Sequence, residues 1–237
     1  MNKEYFERDL QLGANIIWLN SKTVFSKTTH RGIHFEMVDK GPWGLCCYMN
    51  GVLQSSKFDE KIYHSALVDR PDGPIKGNVC ILGGGEGATA REVLAKDGVQ
   101  SVRMIDWDRD VVDIFRTLYP QWGQGAWKDE RLTVEIADVK MCDLFENIYD
   151  GCIVDLFEPD DLDREEWNRL FAKIKRSLKP LGWLNMYAGM YDLFNNGRVQ
   201  KILAQILEEN GFRVVLQRIY IPSFLGEAAF LFALRIT

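Results

Sequence analysis

The sequence has little of what would mark out a metal or disulfide protein. Its three histidines, His30, His34 and His64, lack the spacing of a ligand set, so no metal is expected. Five cysteines (Cys46, Cys47, Cys80, Cys142, Cys152) contain no C-x-x-C pair. Cys80 and Cys152 lie in apolar runs where cysteine packs as a small hydrophobe, and a reducing compartment is the expectation. No window approaches the ~20 apolar residues of a membrane span, and the opening MNKEYFERDL is charged where a signal peptide needs an apolar stretch. A soluble, cytoplasmic protein is expected. Basic residues are in deficit, 29 against 34 acids for a net charge of −5. There is then no global basic field to attract a phosphate backbone, and nucleic acid is not an expected partner. A mildly acidic balance suits a cationic ligand but is also common among cytosolic proteins. Internal repeats and low-complexity tracts are absent as well.

What is present is enough apolar material for a proper core, 46% of 237 residues, with 27% charged. That length fits one α/β domain, or a nucleotide-binding domain with a small accessory one. Residues 33–55 read as short strands: IHFEMV, a GPWG turn, then LCCYMNGVLQ, in which Asn50-Gly51 offers the positive φ of a tight hairpin. The Pro- and Gly-rich stretch DRPDGPIKG then punctuates the chain, giving an expected β-stranded unit over 1–73 and a second unit over 74–237. In the second unit strand and helix signals alternate, as for a parallel sheet with crossover helices. NVCIL, SVRMID, LTVEIA and GCIVDL are the expected strands, and EVLAK and VVDIFRTL carry helical periodicity. A clearer helix places Trp167, Leu170, Phe171, Ile174 and Leu178 on one face and is expected to end at Lys179-Pro180; another spans about Val199–Leu207. The chain closes with FRVVLQRIYI, the turn PSFLGE and AAFLFALRI, an antiparallel hairpin. Dinucleotide folds rarely end so, whereas class I methyltransferase-like Rossmann folds do.

ILGGGEGATA sets a glycine-rich turn (Gly83, Gly84, Gly85, Gly87) between a buried strand and a helix start. Such a turn lets backbone approach a ligand closely and offers it unpaired N–H groups. Gly83-x-Gly85-x-x-Ala88 also satisfies the dinucleotide fingerprint, and a plain strand-to-helix turn would read the same way. The acids downstream sharpen the reading. Asp106, 19 residues after Gly87, ends the second strand, where a carboxylate accepts both hydrogen bonds of a ribose diol. Asp138 ends the third strand, within reach of an adenine amino group, and Asp155 ends the fourth, followed by Glu158 and Pro159. One such acid is often only a helix cap; together at the carboxyl ends of parallel strands they converge on one crevice. Glu86 lies inside the glycine turn itself. Beside a pyrophosphate it would cost on the order of 4 kcal/mol at ~4 Å and an effective dielectric near 20. Unless it points to solvent, Glu86 fits a cationic ligand portion, a sulfonium or an ammonium.

These residues resemble the aminopropyltransferase family, the spermidine, spermine and thermospermine synthases. DEKIYH, GGGEG with AREVL, MIDWD, VDLFEP and IPSF occur in the family's order, and the similarity runs from about Val24 to the C-terminus. The resemblance implies a small β-stranded N-terminal domain before a methyltransferase-like Rossmann domain. It also implies transfer of an aminopropyl group from decarboxylated S-adenosylmethionine, the co-substrate, to a di- or triamine, releasing methylthioadenosine, with no tightly bound cofactor. Assembly as a homodimer or homotetramer is implied too. By resemblance Asp106 holds the ribose, Asp138 the adenine and Glu86 the aminopropyl ammonium, with Gln54 and His64 also on the donor side. Asp155 is the general base; Tyr63, Glu158 and Phe224 face the acceptor with it. Glu86, Asp106 and the IPSF segment lean toward the thermospermine synthase-like branch.

The departures gather on the amine side. The usual Asp-Ser-Ser-Asp-Pro reads Asp155-Leu156-Phe157-Glu158-Pro159; Ser65 stands for a glutamate, Ile33 (or, with a one-residue shift, His34) for a glutamine and Phe224 for a tyrosine. Thr-Gln-Ala reads Met186-Tyr187-Ala188, and the loop after the acids, DDLDREE, lacks Gly-Pro. Leu156 and Phe157 suit either a wall for a polyamine's methylenes or ordinary core, and the tryptophans read as core. Two alternatives stay open: an S-adenosylmethionine-dependent amine N-methyltransferase, against which Glu86 would repel the donor's carboxylate, and a catalytically silent nucleotide-binding relative. An NAD oxidoreductase fits neither Glu86 nor the terminal hairpin.

Overall fold

The computed structural model describes residues 4–9, 13–156, 159, 163–192 and 194–236. Two small sheets come first. Strands β1 (Glu4–Asp9) and β2 (Ala14–Leu19) pair antiparallel, and β3 (Lys22–Thr28), β4 (His34–Asp39), β5 (Leu45–Met49) and β6 (Val52–Ser56) form a four-stranded antiparallel sheet. Asn50 (φ 52°) and Gly51 (φ 77°) supply the two left-handed residues that turn β5 into β6, as their sequence anticipates. GPWG forms a single 3₁₀ turn over Gly41–Trp43. Strands β1 to β3 are finds of the structure, short and largely solvent-facing.

Helix α1 (Glu60–Val68) leads into the larger unit: β7 (Lys76–Gly83), α2 (Ala88–Leu94), β8 (Gly98–Asp106), α3 (Arg109–Thr117), β9 (Leu132–Ile136), β10 (Tyr149–Asp155), α4 (Arg164–Ser177), β11 (Leu178–Met190), α5 (Arg198–Glu209), β12 (Phe212–Ile221) and β13 (Gly226–Arg235). Its seven-stranded sheet runs β9-β8-β7-β10-β11-β13-β12. Parallel pairing joins β9 through β11, and β13 is antiparallel to both of its neighbours. This is the methyltransferase-like Rossmann order with its terminal hairpin. Val79, Cys80, Ile81 and Leu82 are fully buried because the central strand is covered on both faces, which is why it reads as an unbroken apolar run.

Helix α4 is capped by Asp163, which accepts from the N–H groups of Glu165 and Glu166 at 2.9 and 3.2 Å, a cap worth about 1 kcal/mol. Trp167, Phe171 and Ile174 pin it to the sheet. It ends at Ser177, short of the expected Lys179-Pro180, because β11 begins at Leu178 and takes those residues in. Although α1 precedes the break expected at residue 73, its Tyr63, Leu67 and Val68 pack into the core of the seven-stranded sheet. The amide of buried Asn185 on β11 donates to the carbonyl of Leu67 at 3.0 Å and so holds the helix end.

The four-stranded sheet lies against α2 and α3 through Phe35, Met37 and Cys47, which meet Ala88, Val111, Phe115 and Trp122. The β3–β4 loop is clasped to the start of α3: Lys27 Nζ and the His30 N–H reach Asp110 at 2.6 and 2.7 Å. Among the described residues no helix is long and apolar enough to cross a membrane.

Candidate active site

The strand order reverses between β7 and β10, so their carboxyl ends flank the crevice where ligands of such sheets bind. Strand β7 ends in Gly83 and β10 in Asp155, paired residue to residue. A side chain at Gly83 would place its Cβ 1.9 Å from the Asp155 carbonyl, so glycine is what lets the two strand ends close up. Gly85 also approaches Asp106 closely, though less so: a Cβ there would lie 2.7 Å from the side-chain Oδ2. Above these ends opens a cleft of about 1190 Å³.

Asp155 is held at both oxygens. Tyr63 donates its hydroxyl to Oδ1 at 2.9 Å and Thr89 donates to Oδ2 at 2.7 Å. Burial, then the Asp155 charge, pushes the Tyr63 phenol well above its ordinary pKa, so it remains a donor. Behind Thr89 stands His64, whose Nδ1 lies 3.0 Å from Thr89 Oγ1 and whose Nε2 forms an ion pair with Glu86. Burial disfavours a charged ring, but Glu86, with Asp155 and Glu60 beyond it, outweighs burial and raises the imidazole pKa. Tyr63, His64, Thr89 and Glu86 thus form one chain of polar contacts ending on the carboxylate at the sheet's edge.

Asp106 faces the same crevice from the end of β8 and accepts the Asp108 N–H at 2.9 Å. Burial lifts its pKa to about 6, against the pull of backbone donors from Asp108 and Gly85. Asp138 borders the cleft after β9 and fixes its own loop by accepting the Lys140 N–H at 2.8 Å. On the far side, the Tyr63 ring meets Tyr187 at 5.4 Å and Phe224 at 6.0 Å, an aromatic wall beside Asp155. Phe224 is seated by Asp59, a buried acid that accepts both the Ser223 N–H at 2.7 Å and its hydroxyl at 2.8 Å. Glu60, the residue after Asp59, pairs with Arg91, bracing α1 against α2.

Residues 56–234 match the spermine/spermidine synthase domain. The chain belongs to the spermine/spermidine synthase family. A curated family relative, the polyamine aminopropyltransferase of Pyrobaculum aerophilum, is 33% identical over 220 residues, 88% of this chain and 74% of that protein. Its counterpart from Pyrobaculum calidifontis is 35% identical over 197 residues, 79% of this chain and 68% of that one. The crystal structure of spermidine synthase from Thermotoga maritima superimposes with a TM-score of 0.84 at 22% identity, covering 98% of this chain and 79% of that chain. A spermidine synthase crystallised with the transition-state analogue AdoDATO gives 0.86 at 21% identity, covering 98% and 80%. The family's fold is the fold described above.

Within this family frame, the expected residues Gln54, Tyr63, His64, Gly83, Gly85, Glu86, Asp106, Asp138, Asp155 and Phe224 all border the cleft. Gly87 does not. It starts α2 at φ 79°, and a Cβ there would strike the Trp127 ring at 2.3 Å, so its task is to bend the chain against a tryptophan. Glu158 and Phe157 lie outside the described residues. Gln54 is exposed at the rim, its amide turned to the Val52 carbonyl at 3.2 Å. His64 is buried and held between Glu86 and Thr89.

Three participants escaped the sequence reading. Thr89 had a signal, a polar residue three after Glu86 on the first turn of α2, but its partners come from α1 and β10. Asp59 was part of a recognised motif without an assigned partner. Trp107, read as core, is 46% exposed and borders the cleft next to Asp106, with the Arg31 guanidinium 5.2 Å from its ring centre.

Proposed function

We propose that the protein is a polyamine aminopropyltransferase that moves the aminopropyl group of decarboxylated S-adenosylmethionine to a di- or triamine and releases methylthioadenosine. The observation that carries the reading is Asp155, gripped by Tyr63 and Thr89 at the switch point of the sheet, in a cleft shared with Glu86 and Asp106. The names of the curated relatives point the same way.

On this reading the amine nitrogen attacks the carbon next to the sulfonium, in line with the departing sulfur. The leaving group becomes neutral as it goes, so no acid is required. The nucleophile is the difficulty. An amine with a pKa near 10.4 costs roughly 4 to 5 kcal/mol to reach its free base at pH 7. Asp155 draws the ammonium in and accepts its proton as attack begins. Positioning by the aromatic wall and the two nucleoside acids supplies much of the remaining acceleration. Asp106 receives the ribose hydroxyls, Asp138 the adenine amino group and Glu86 the aminopropyl ammonium. Tyr63, Tyr187 and Phe224 line the acceptor's methylenes.

Donor and acceptor are small molecules, and nucleic acid has no part in the reading. Self-association as a homodimer or homotetramer belongs to it, supported by Phe6, Ile17 and Leu19, apolar and exposed on the β1–β2 hairpin. A cytoplasmic location also belongs to it, supported by five free cysteines.

Calorimetry with methylthioadenosine, decarboxylated S-adenosylmethionine and S-adenosylmethionine, followed by an amine panel, tests the function. Preference for the decarboxylated donor with methylthioadenosine release supports it. Tighter binding of intact S-adenosylmethionine with methyl transfer, or binding without turnover on any amine, overturns it.

A further inference from the structure

Glu86, the acid given above to the donor's ammonium, already has a cation. Thr89 has one hydroxyl proton and directs it to Asp155 Oδ2, since an ionised carboxylate can only accept. The Thr89 oxygen therefore accepts from His64 Nδ1–H. Glu86, also acceptor-only, lies against Nε2 as its ion-pair partner, a contact that requires a proton on that nitrogen. Both ring nitrogens carry protons, and His64 rests as an imidazolium inside the cleft wall. The charged and titratable groups facing it are Glu86 from the glycine turn, Asp155 from β10, and Glu60 and Tyr63 from α1. Glu60 is answered by Arg91 and Lys57. The Cys47 thiol, which meets Glu86 from β5, is kept neutral by burial. Glu86 is thus the group that pairs with the ring and also borders the cleft, and an incoming ammonium has to share it with the imidazolium.

We propose that a donor bearing a primary ammonium displaces the Nε2 proton of His64, so that the resting imidazolium acts as an internal stand-in for the substrate's cation. The Nε2–H bond breaks and its electron pair stays on nitrogen; the proton leaves to water through the open cleft. The ammonium then gives one N–H to Glu86 and one to the bare Nε2. Nδ1–H stays on Thr89, so the hydrogen bonds to Asp155 survive the exchange. Donor binding becomes proton-coupled at a residue that does not touch the reacting carbon. The inference rests on the assignment of the donor's ammonium to Glu86.

The test is calorimetry between pH 6.5 and 8.5, in buffers of different ionisation enthalpy. The ligands are decarboxylated S-adenosylmethionine, methylthioadenosine, which lacks the amine, and 5′-dimethylsulfonioadenosine, which has the sulfonium alone. The first should release up to one proton more than the other two. Its affinity should gain up to tenfold per pH unit on the acid side of the His64 titration and level off above it. In His64→Gln and Glu86→Gln the excess release should vanish while methylthioadenosine still binds. Equal release by all three ligands, an excess produced by the sulfonium alone, or an excess that persists in His64→Gln would overturn the proposal and leave the aminopropyltransferase reading intact. Failure of the decarboxylated donor to bind where methylthioadenosine does would overturn both.

Discussion

The Tyr63 hydroxyl donates to Asp155 Oδ1 at 2.9 Å, joining the first helix to the end of β10 across 92 residues of chain. Hydrogen bonds to a charged partner are worth about 1.5–3 kcal/mol. Tyr63→Phe keeps the ring contacts with Tyr187 and Phe224 and removes only that donor. It should lower kcat/KM by roughly 10- to 100-fold. Steady-state kinetics reads the effect; an unchanged kcat/KM would detach Tyr63 from the base.

Asp106 gives a handle on pH, because burial lifts its carboxyl to about 6. Ribose hydroxyls donate to the ionised form, so methylthioadenosine affinity should fall by up to tenfold per unit below that value and be flat above it. The sign for stability is the reverse. The folded pKa stands above the ~3.9 of an unfolded aspartate, so the stabilisation is complete below the unfolded value and is lost as pH rises through about 6. Asp106→Asn should therefore raise stability at pH 7.5 by up to about 3 kcal/mol while removing nucleoside binding. Thermal melts paired with calorimetry would show whether gain and loss occur together.

Asp59 anchors the segment that carries Phe224, with two bonds to Ser223. Removing the carboxylate leaves a buried N–H and hydroxyl without their partner, which costs about 1–3 kcal/mol. Asp59→Ala should destabilise by about that amount and raise the acceptor KM more than the donor KM. Ser223→Ala, which keeps the N–H bond, should show the same pattern more weakly.

Two glycines of one turn should part company under substitution. Gly85→Ala presses on the Asp106 carboxylate and should act on methylthioadenosine affinity first. Gly87→Ala meets the Trp127 ring at 2.3 Å from a φ of 79° and should act on stability, by more than about 1 kcal/mol, without altering which ligands bind. Chemical denaturation beside ligand titration separates them.

These contrasts show where the sequence was legible. Val79 to Leu82 and Cys152 to Val154 announce buried parallel strands because both faces are covered, and the acids ending the strands converge because the topology makes them. The Asn50-Gly51 turn was readable because its conformation is local. Strand β11 was missed because Lys179, Pro180 and Gly182 break its apolar pattern at the start, while its pairing with β10 and β13 restores it from outside. Strands β1 and β3 were missed because charges interrupt their apolar residues, and β2, the uncharged run ANIIWL, because it shows no apolar–polar alternation. Inside the site, residue types were legible and their wiring was not. Nothing near Thr89 reveals partners 25 and 66 residues away, and Gly87 looked like a ligand contact because Trp127, the reason for it, lies 40 residues downstream.

The most direct test of the central claim is methylthioadenosine release from decarboxylated S-adenosylmethionine in the presence of a diamine or triamine, with wild type and Asp155→Asn side by side. The account predicts release that needs both donor and amine, a loss of about 10²- to 10⁴-fold in the variant, and methylthioadenosine binding within a few-fold of wild type. Release that persists at the wild-type rate in Asp155→Asn, or none from wild type with any amine, would contradict it.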